Sequence, residues 1–283
     1  FTKSFSKDQI ETTVDDKGNE TETLEFASAD VMRARMDNLV KDIITYCNTN
    51  YPGVVVSWDV VDDPINSGDR HEKKYRESSN WYQTLGEDYM YEAFALADKY
   101  ATKEQKLFVA QEAAHEKATR EPLVALLPLL QDKCRLDGIA VQAHYTAQAP
   151  NVFDLEDMLK AVSKSGLEIQ LTEFYVNSKV GAQEDYEKTE EEFLTRNTKR
   201  YKALMAFFVR MEDQKGYDIT YISMDGLTDD TSSLNVPTEY VDKETGETVV
   251  GVEVFAYPYL FAPDLTVREA FFGALGDADI KGF

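Results

Sequence analysis

"LEIQLTEF", residues 167–174, is an apolar run that ends in a carboxylate. Read as a strand, it points Glu173 to the same face as Ile169 and Leu171, because side chains alternate along a strand. A charge at the end of a buried strand is costly unless it is paired or used. The fold follows from whether this pattern, a short apolar strand closed by a polar group, recurs along the chain.

It does recur. "GVVVSWDVV" (53–61) ends at Asp62 and Asp63, "KLFVAQE" (106–112) at Gln111 and Glu112, and "DGIAVQAH" (137–144) carries Gln142 and His144. "DITYISM" (218–224) is followed by Asp225. Between the strands lie helical spacings: Met32, Met36, Leu39, Ile43 and Cys47 over 30–47, and Met90, Phe94 and Ala97 over 87–100. Leu123, Leu126, Leu127 and Leu130 predict a helix over 119–134, where Pro128 should bend it or delay its start. Further helices are predicted near 154–164, 184–213 and 265–275. Strands alternating with helices predict a parallel sheet covered by helices. About five such units can be counted, where a closed (β/α)8 barrel needs eight. Every polar interruption falls just after a strand, which is the ligand edge in a βα-barrel and in an open doubly wound sheet alike. No GxGxxG or GxxxxGK[ST] follows any strand, so a nucleotide cofactor is not indicated. Residues 1–27 read as two short extended pieces around the turn "VDDKGNE". Residues 237–257 read as a hairpin inserted in the last βα loop, either lining a groove or decorating the surface.

Composition narrows the partners. The 52 acidic and 30 basic residues leave a net charge of −22, which argues against nucleic acid and anionic membranes and suits a neutral ligand. No apolar run is long enough to span a membrane. The two cysteines, Cys47 and Cys134, sit on apolar helix faces without a Cys/His pattern, so buried free thiols are expected and a zinc site is not. The first residue is Phe1 and nothing near it looks like a signal peptide, so the stretch is expected to start inside a longer chain or after processing.

Two carboxylates come from separate strands. Asp63 is in phase with Val61, and Asp62 with Trp58 and Val60. Together with Glu173 they offer the pair that glycoside hydrolysis needs: one carboxyl to give a proton to the leaving oxygen, one to attack the sugar or activate water. Strand-end acids also cap helices or bind lysines, and spacing alone leaves both readings open.

At this point the motifs resemble a known family. "SWDVVDDPI" (57–65) resembles the "WDVVNEAI" signature of family 10 glycoside hydrolases, the endo-β-1,4-xylanases. "SSNWYQTLGEDYMYEAFALADKYA" (78–101), "GIAVQAHY" (138–145), "GLEIQLTEFYV" (166–176), "GLTDDTSSL" (226–234) and "YPYLFAPDLTVREAFFGAL" (257–275) follow in the family's order. The resemblance implies a TIM-type (β/α)8 barrel, here a partial one covering about strands 4 to 8, with residues 1–283 a single catalytic domain. It implies a retaining attack on xylan and an extracellular setting, and with no nucleotide motif or Cys/His cluster no cofactor and no metal are expected. By position Glu173 is similar to the family's nucleophile, and Gln142 and His144 stand where the family holds it and meets the sugar. Asp63 stands at the acid/base position, where the family has Glu. Asp62 stands where it has an Asn that binds the sugar 2-hydroxyl. The family's "NDYN" reads "AQEA" (110–113), which places Glu112 as a substrate-side group or surrogate acid, with an exposed or salt-bridged Glu as the alternative. Its Trp-Gly reads Asp225-Gly226, and a later Trp reads Ser233, so two sugar-stacking walls are absent. Of the remaining tryptophans, Trp58 is expected in the core and Trp81 against the loop after the fourth strand. The family's first three strands have no counterpart here, so a missing N-terminal barrel segment or upstream modules are expected as partners. Three functions stay open: a xylanase, an inactive xylan- or glycan-binding relative, and a structural scaffold.

Overall fold

Serine at a helix start and apolar residues three and four apart turn the first helical spacing into α1 (Ala29–Asn50). The Ser28 side chain accepts the Val31 N–H, and Met32, Met36 and Ile44 are buried. The structure is a computed structural model and describes residues 6–14, 17, 20–67, 74–185, 188–235, 237–242, 244–253 and 256–276. Before α1, β1 (Lys7–Val14) and β2 (Glu20–Phe26) pair antiparallel, as the polar turn between them predicts. After it come β3 (Ser57–Asp62), α2 (Asn80–Leu85), α3 (Asp88–Tyr100) and β4 (Lys106–Gln111). Then follow α4 (Lys117–Lys133), β5 (Gly138–Thr146), α5 (Val152–Val162) and β6 (Glu168–Asn177). The chain goes on through α6 (Ala182–Asp185), α7 (Glu190–Lys215) and β7 (Ile219–Met224). The hairpin β8 (Pro237–Val241) and β9 (Thr248–Glu253) and the helix α8 (Glu269–Leu275) complete it. The hairpin lies within the segment expected to form one.

The strands β3 to β7 are hydrogen-bonded in chain order as one five-stranded sheet, with β3–β4 and β6–β7 parallel. The chain divides into two compact units, Phe1–Gln111 with Glu121–Ile139, and Glu112–Arg120 with Ala140–Phe283. The first is centred on β4, whose Leu107, Phe108 and Val109 are fully buried. Gly138 is required there, because a Cβ would lie 2.0 Å from the Phe108 ring. The second is centred on aromatics that tie β6 to α7: Phe174 meets Tyr201 at 5.1 Å and Phe208 at 6.3 Å between ring centroids.

Three expectations need correction. The run Val54–Val56 is not inside a strand: β3 begins at Ser57, and Val54 and Val56 are 70% and 65% exposed. The physical reason is position, since β3 lies at the end of the sheet order with one strand neighbour. The helix around Pro128 starts early, at Lys117, and carries both Pro122 and Pro128. Its Leu123, Leu126, Leu127 and Leu130 are fully buried, and that packing outweighs the two lost backbone hydrogen bonds. Both cysteines are free thiols, half-buried rather than buried.

Candidate active site

In the second unit, strand alternation brings Gln142 and His144 of β5 to one face. Glu173 comes to meet them through an irregularity in β6. The β6–β7 register shifts between Leu171 and Phe174, so β6 carries one residue more than its neighbour. Glu173 absorbs that extra residue with a left-handed backbone, φ 52°. This frees its side chain while Phe174, the next residue, stays fully buried. Gln142 Nε2 donates to Glu173 Oε1 at 3.1 Å, and His144 Nε2 lies 2.8 Å from Glu173 Oε2. The His144 ring stacks on Tyr175 at 4.9 Å and 17°. Burial, then the charges of Asp225, Glu112 and Glu173, push the Tyr175 hydroxyl above its ordinary pKa. One carboxylate is thus fixed by two polar side chains beside an aromatic face.

The surroundings are anchored from behind. Asn197 of α7 donates to the carbonyls of Val176 and Tyr257, and Tyr201 donates to Pro258 O at 2.7 Å. These bonds hold residues 257–258 against the end of β6. The buried Asp229 accepts from the Tyr259 N–H at 3.0 Å and pairs with Arg268 at 3.0 Å. Burial pushes the Asp229 carboxyl up, against the opposing pull of the Tyr259 N–H and Arg268.

In the first unit, Asp63 is 6% exposed and Asp62 is exposed, as their alternation predicts. Asp63 also has a left-handed backbone, φ 49°, and its N–H donates to Ala110 O at 3.0 Å. Both of its carboxylate oxygens are engaged: Oδ2 by Arg76 at 3.0 Å, Oδ1 by Gln111 Nε2 at 3.3 Å. Gln111 also accepts the Ile65 N–H at 3.0 Å and is itself fully buried. Nearby, burial pushes the Tyr89 hydroxyl well up, with Arg76, Asp62 and Asp63 as its charged neighbours. Trp58 and Trp81 line an apolar groove of about 430 Å³ in this unit, so Trp58, expected in the core, is not wholly core.

The structure therefore brings Glu173, Gln142 and His144 together, and places half-buried Glu112 close enough to act on Tyr175. Asp62 and Asp63 share the end of β3. Of the five non-glycine residues at positive φ among the described residues, Asp63 directly follows β3, Ala113 stands two residues after β4, and Glu173 lies within β6. Such backbones cost of order 1–3 kcal/mol each and are characteristic of functional sites. Sequence reading missed Tyr175, Tyr259 and Arg76. Tyr175 had a signal, since it stands two residues after Glu173 on the same strand. Arg76 had none, because its partner lies across a loop.

The family described as Glycosyl hydrolase family 10 matches residues 16–275. A putative endo-1,4-beta-xylanase of Caldicellulosiruptor saccharolyticus is 31% identical over 72% of this chain and 66% of its own length. Endo-1,4-beta-xylanase A of Halalkalibacterium halodurans is 28% identical over 87% of this chain and 58% of its own. The chain thus spans less than two thirds of either relative. The crystal structure of an endo-1,4-beta-xylanase from Caldicellulosiruptor owensensis matches with a TM-score of 0.70 and 28% identity, over 93% of this chain and 72% of that one. A mutant structure in complex with xylotriose matches with a TM-score of 0.71 and 27% identity, over 89% and 70%. The fold is of the (β/α)8 barrel type.

Proposed function

The chain belongs to glycosyl hydrolase family 10, and on that premise we propose that residues 1–283 act as one catalytic domain of a retaining endo-β-1,4-xylanase. The observation that carries this reading is Glu173, held by Gln142 and His144 in a left-handed backbone. Glu173 attacks the anomeric carbon while the bond to the leaving oxygen breaks, and Asp63 gives that oxygen its proton. Asp63 then takes a proton from the water that releases the glycosyl-enzyme. Gln142 and His144 orient the nucleophile, Asp62 meets the sugar, and Glu112 lies on the substrate side. A neutral xylan chain suits a protein of net charge −22. An extracellular setting is part of the proposal and rests on the family resemblance. Further barrel strands, from this protein's own chain or another, are placed along β3, over the groove lined by Met36, Ile44, Trp58, Val60, Trp81 and Ala93.

A second reading has its own observation. The Asp63 carboxylate is engaged at both oxygens by Arg76 and Gln111, so proton delivery requires it to leave a charge-assisted pair. A protein that keeps this clamp binds xylan and does not cleave it. Product analysis of xylohexaose decides between the two. Hydrolysis by the wild-type chain, reduced at least about 1000-fold in Glu173→Gln, supports the enzyme. Retention on xylan without products supports the binding protein. Neither retention nor products overturns both.

A further inference from the structure

Asp225 stands where the family resemblance places a stacking tryptophan, and the structure has built it in. Its N–H donates to the carbonyl of Phe174, the residue after Glu173, at 3.3 Å. Its Oδ2 accepts the Tyr259 hydroxyl at 2.8 Å. Tyr259 is 7% exposed, and its ring covers Gly226 so closely that a Cβ there would lie 2.4 Å away. Asp229 fixes the Tyr259 backbone in turn, and Arg268 fixes Asp229. An exposed carboxylate is therefore held in place close enough to act on Tyr175, as Glu173 does, at the position where the resemblance implies an aromatic wall.

We infer that Asp225, anchored by Tyr259, is a specificity-determining residue that selects neutral glycan chains and rejects chains bearing carboxylated, uronic acid side groups. This rests on the reading of the Glu173 face as a carbohydrate site. A sugar hydroxyl can donate to the fixed carboxylate, which replaces part of what stacking supplied. A uronate brought alongside meets a like charge that cannot swing away. Glu173 and Glu112 reinforce the field, since both act together with Asp225 on Tyr175. At a spacing of about 5 Å in an exposed site, one such charge is worth roughly 3- to 10-fold in affinity, and salt weakens it.

Affinity electrophoresis of the 283-residue chain tests this, in gels holding neutral arabinoxylan or methylglucuronoxylan. The wild type should bind the neutral polymer more tightly, with the difference shrinking as salt is raised. Asp225→Asn keeps the size of the side chain and an acceptor for Tyr259, and should raise the glucuronoxylan-to-arabinoxylan affinity ratio about 3- to 10-fold. Tyr259→Phe keeps the charge and frees it to move, and should raise the ratio less. Equal binding of both polymers by the wild type, or an unchanged ratio in Asp225→Asn with its melting temperature retained, overturns the inference and leaves the carbohydrate reading standing. Binding to neither polymer overturns that reading and the inference with it.

Discussion

At the residue scale the two candidate catalytic carboxylates differ in how they are held. Glu173 is half-exposed and fixed by the side chains of Gln142 and His144. Asp63 is buried and fixed by a cation and an amide. The first can reach a ligand as it stands, while the second must exchange partners first. Glu173 was legible because an acid in phase with Ile169 and Leu171 poses the question by itself, although β6 does not end there as the sequence suggests but runs on to Asn177. The clamp on Asp63 was not, because Arg76 is 13 residues away and no sequence pattern pairs the two. His115 is a further residue with a measurable consequence. It lies edge-on to Tyr145 at 5.9 Å, and burial holds its pKa below the ordinary value, against the pull of Glu116 and Asp154. A histidine with a depressed folded pKa binds fewer protons folded than unfolded, so stability rises with pH through that window. His115 thus contributes stability above its unfolded pKa of about 6.5, and that is lost as pH falls. The melting temperature should drop between pH 7 and pH 5, and drop less in His115→Gln. Parallel melting curves of the two proteins across this range would remove His115 from the account.

At the scale of elements, periodicity found the five strands of the main sheet and the longer helices but not the short α2, and the departures arise where one element answers to another. The run of Val54–Val56 was legible as apolar but not as exposed, because exposure depends on what pairs with β3. The extra residue at Glu173 was not legible either, because a bulge is defined by register against β7 and not by β6 alone. The start of α7, in contrast, is written locally. Thr189 accepts the Glu192 N–H, and the Glu192 side chain accepts the Thr189 N–H, which is a complete capping box. Lys188 adds an ion pair to Glu192, and together these bonds hold the Glu192 carboxyl below its usual range. The helix matters to the site because Asn197 and Tyr201 hang from it. Thr189→Ala should cost about 1 kcal/mol, read as a melting temperature lower by roughly 2–4 °C. An unchanged melt would mean that the packing of Phe193, Tyr201 and Phe208 alone sets the start of the helix.

At the scale of the whole molecule, β3 and β7 end the sheet order, and solved relatives run longer than this chain. Apolar side chains stand exposed beside these strands, Val54 and Val56 ahead of β3 and Tyr221 on β7. Strand edges that lack a neighbour among the described residues, with apolar flanks, favour pairing with another copy. A net charge of −22 opposes that pairing through repulsion between copies. The two effects respond differently to salt. Raising salt from about 0.1 M to 1 M shortens the screening length from roughly 10 Å to 3 Å, which removes the repulsion and leaves the apolar attraction. The 283-residue chain should therefore self-associate increasingly as salt rises, seen as a growing sedimentation coefficient. Val54→Ser combined with Val56→Ser removes apolar surface without changing net charge, and should flatten that dependence. A wild-type chain that stays monomeric at 1 M salt would show that its exposed valines and sheet edges are too weak to join two copies.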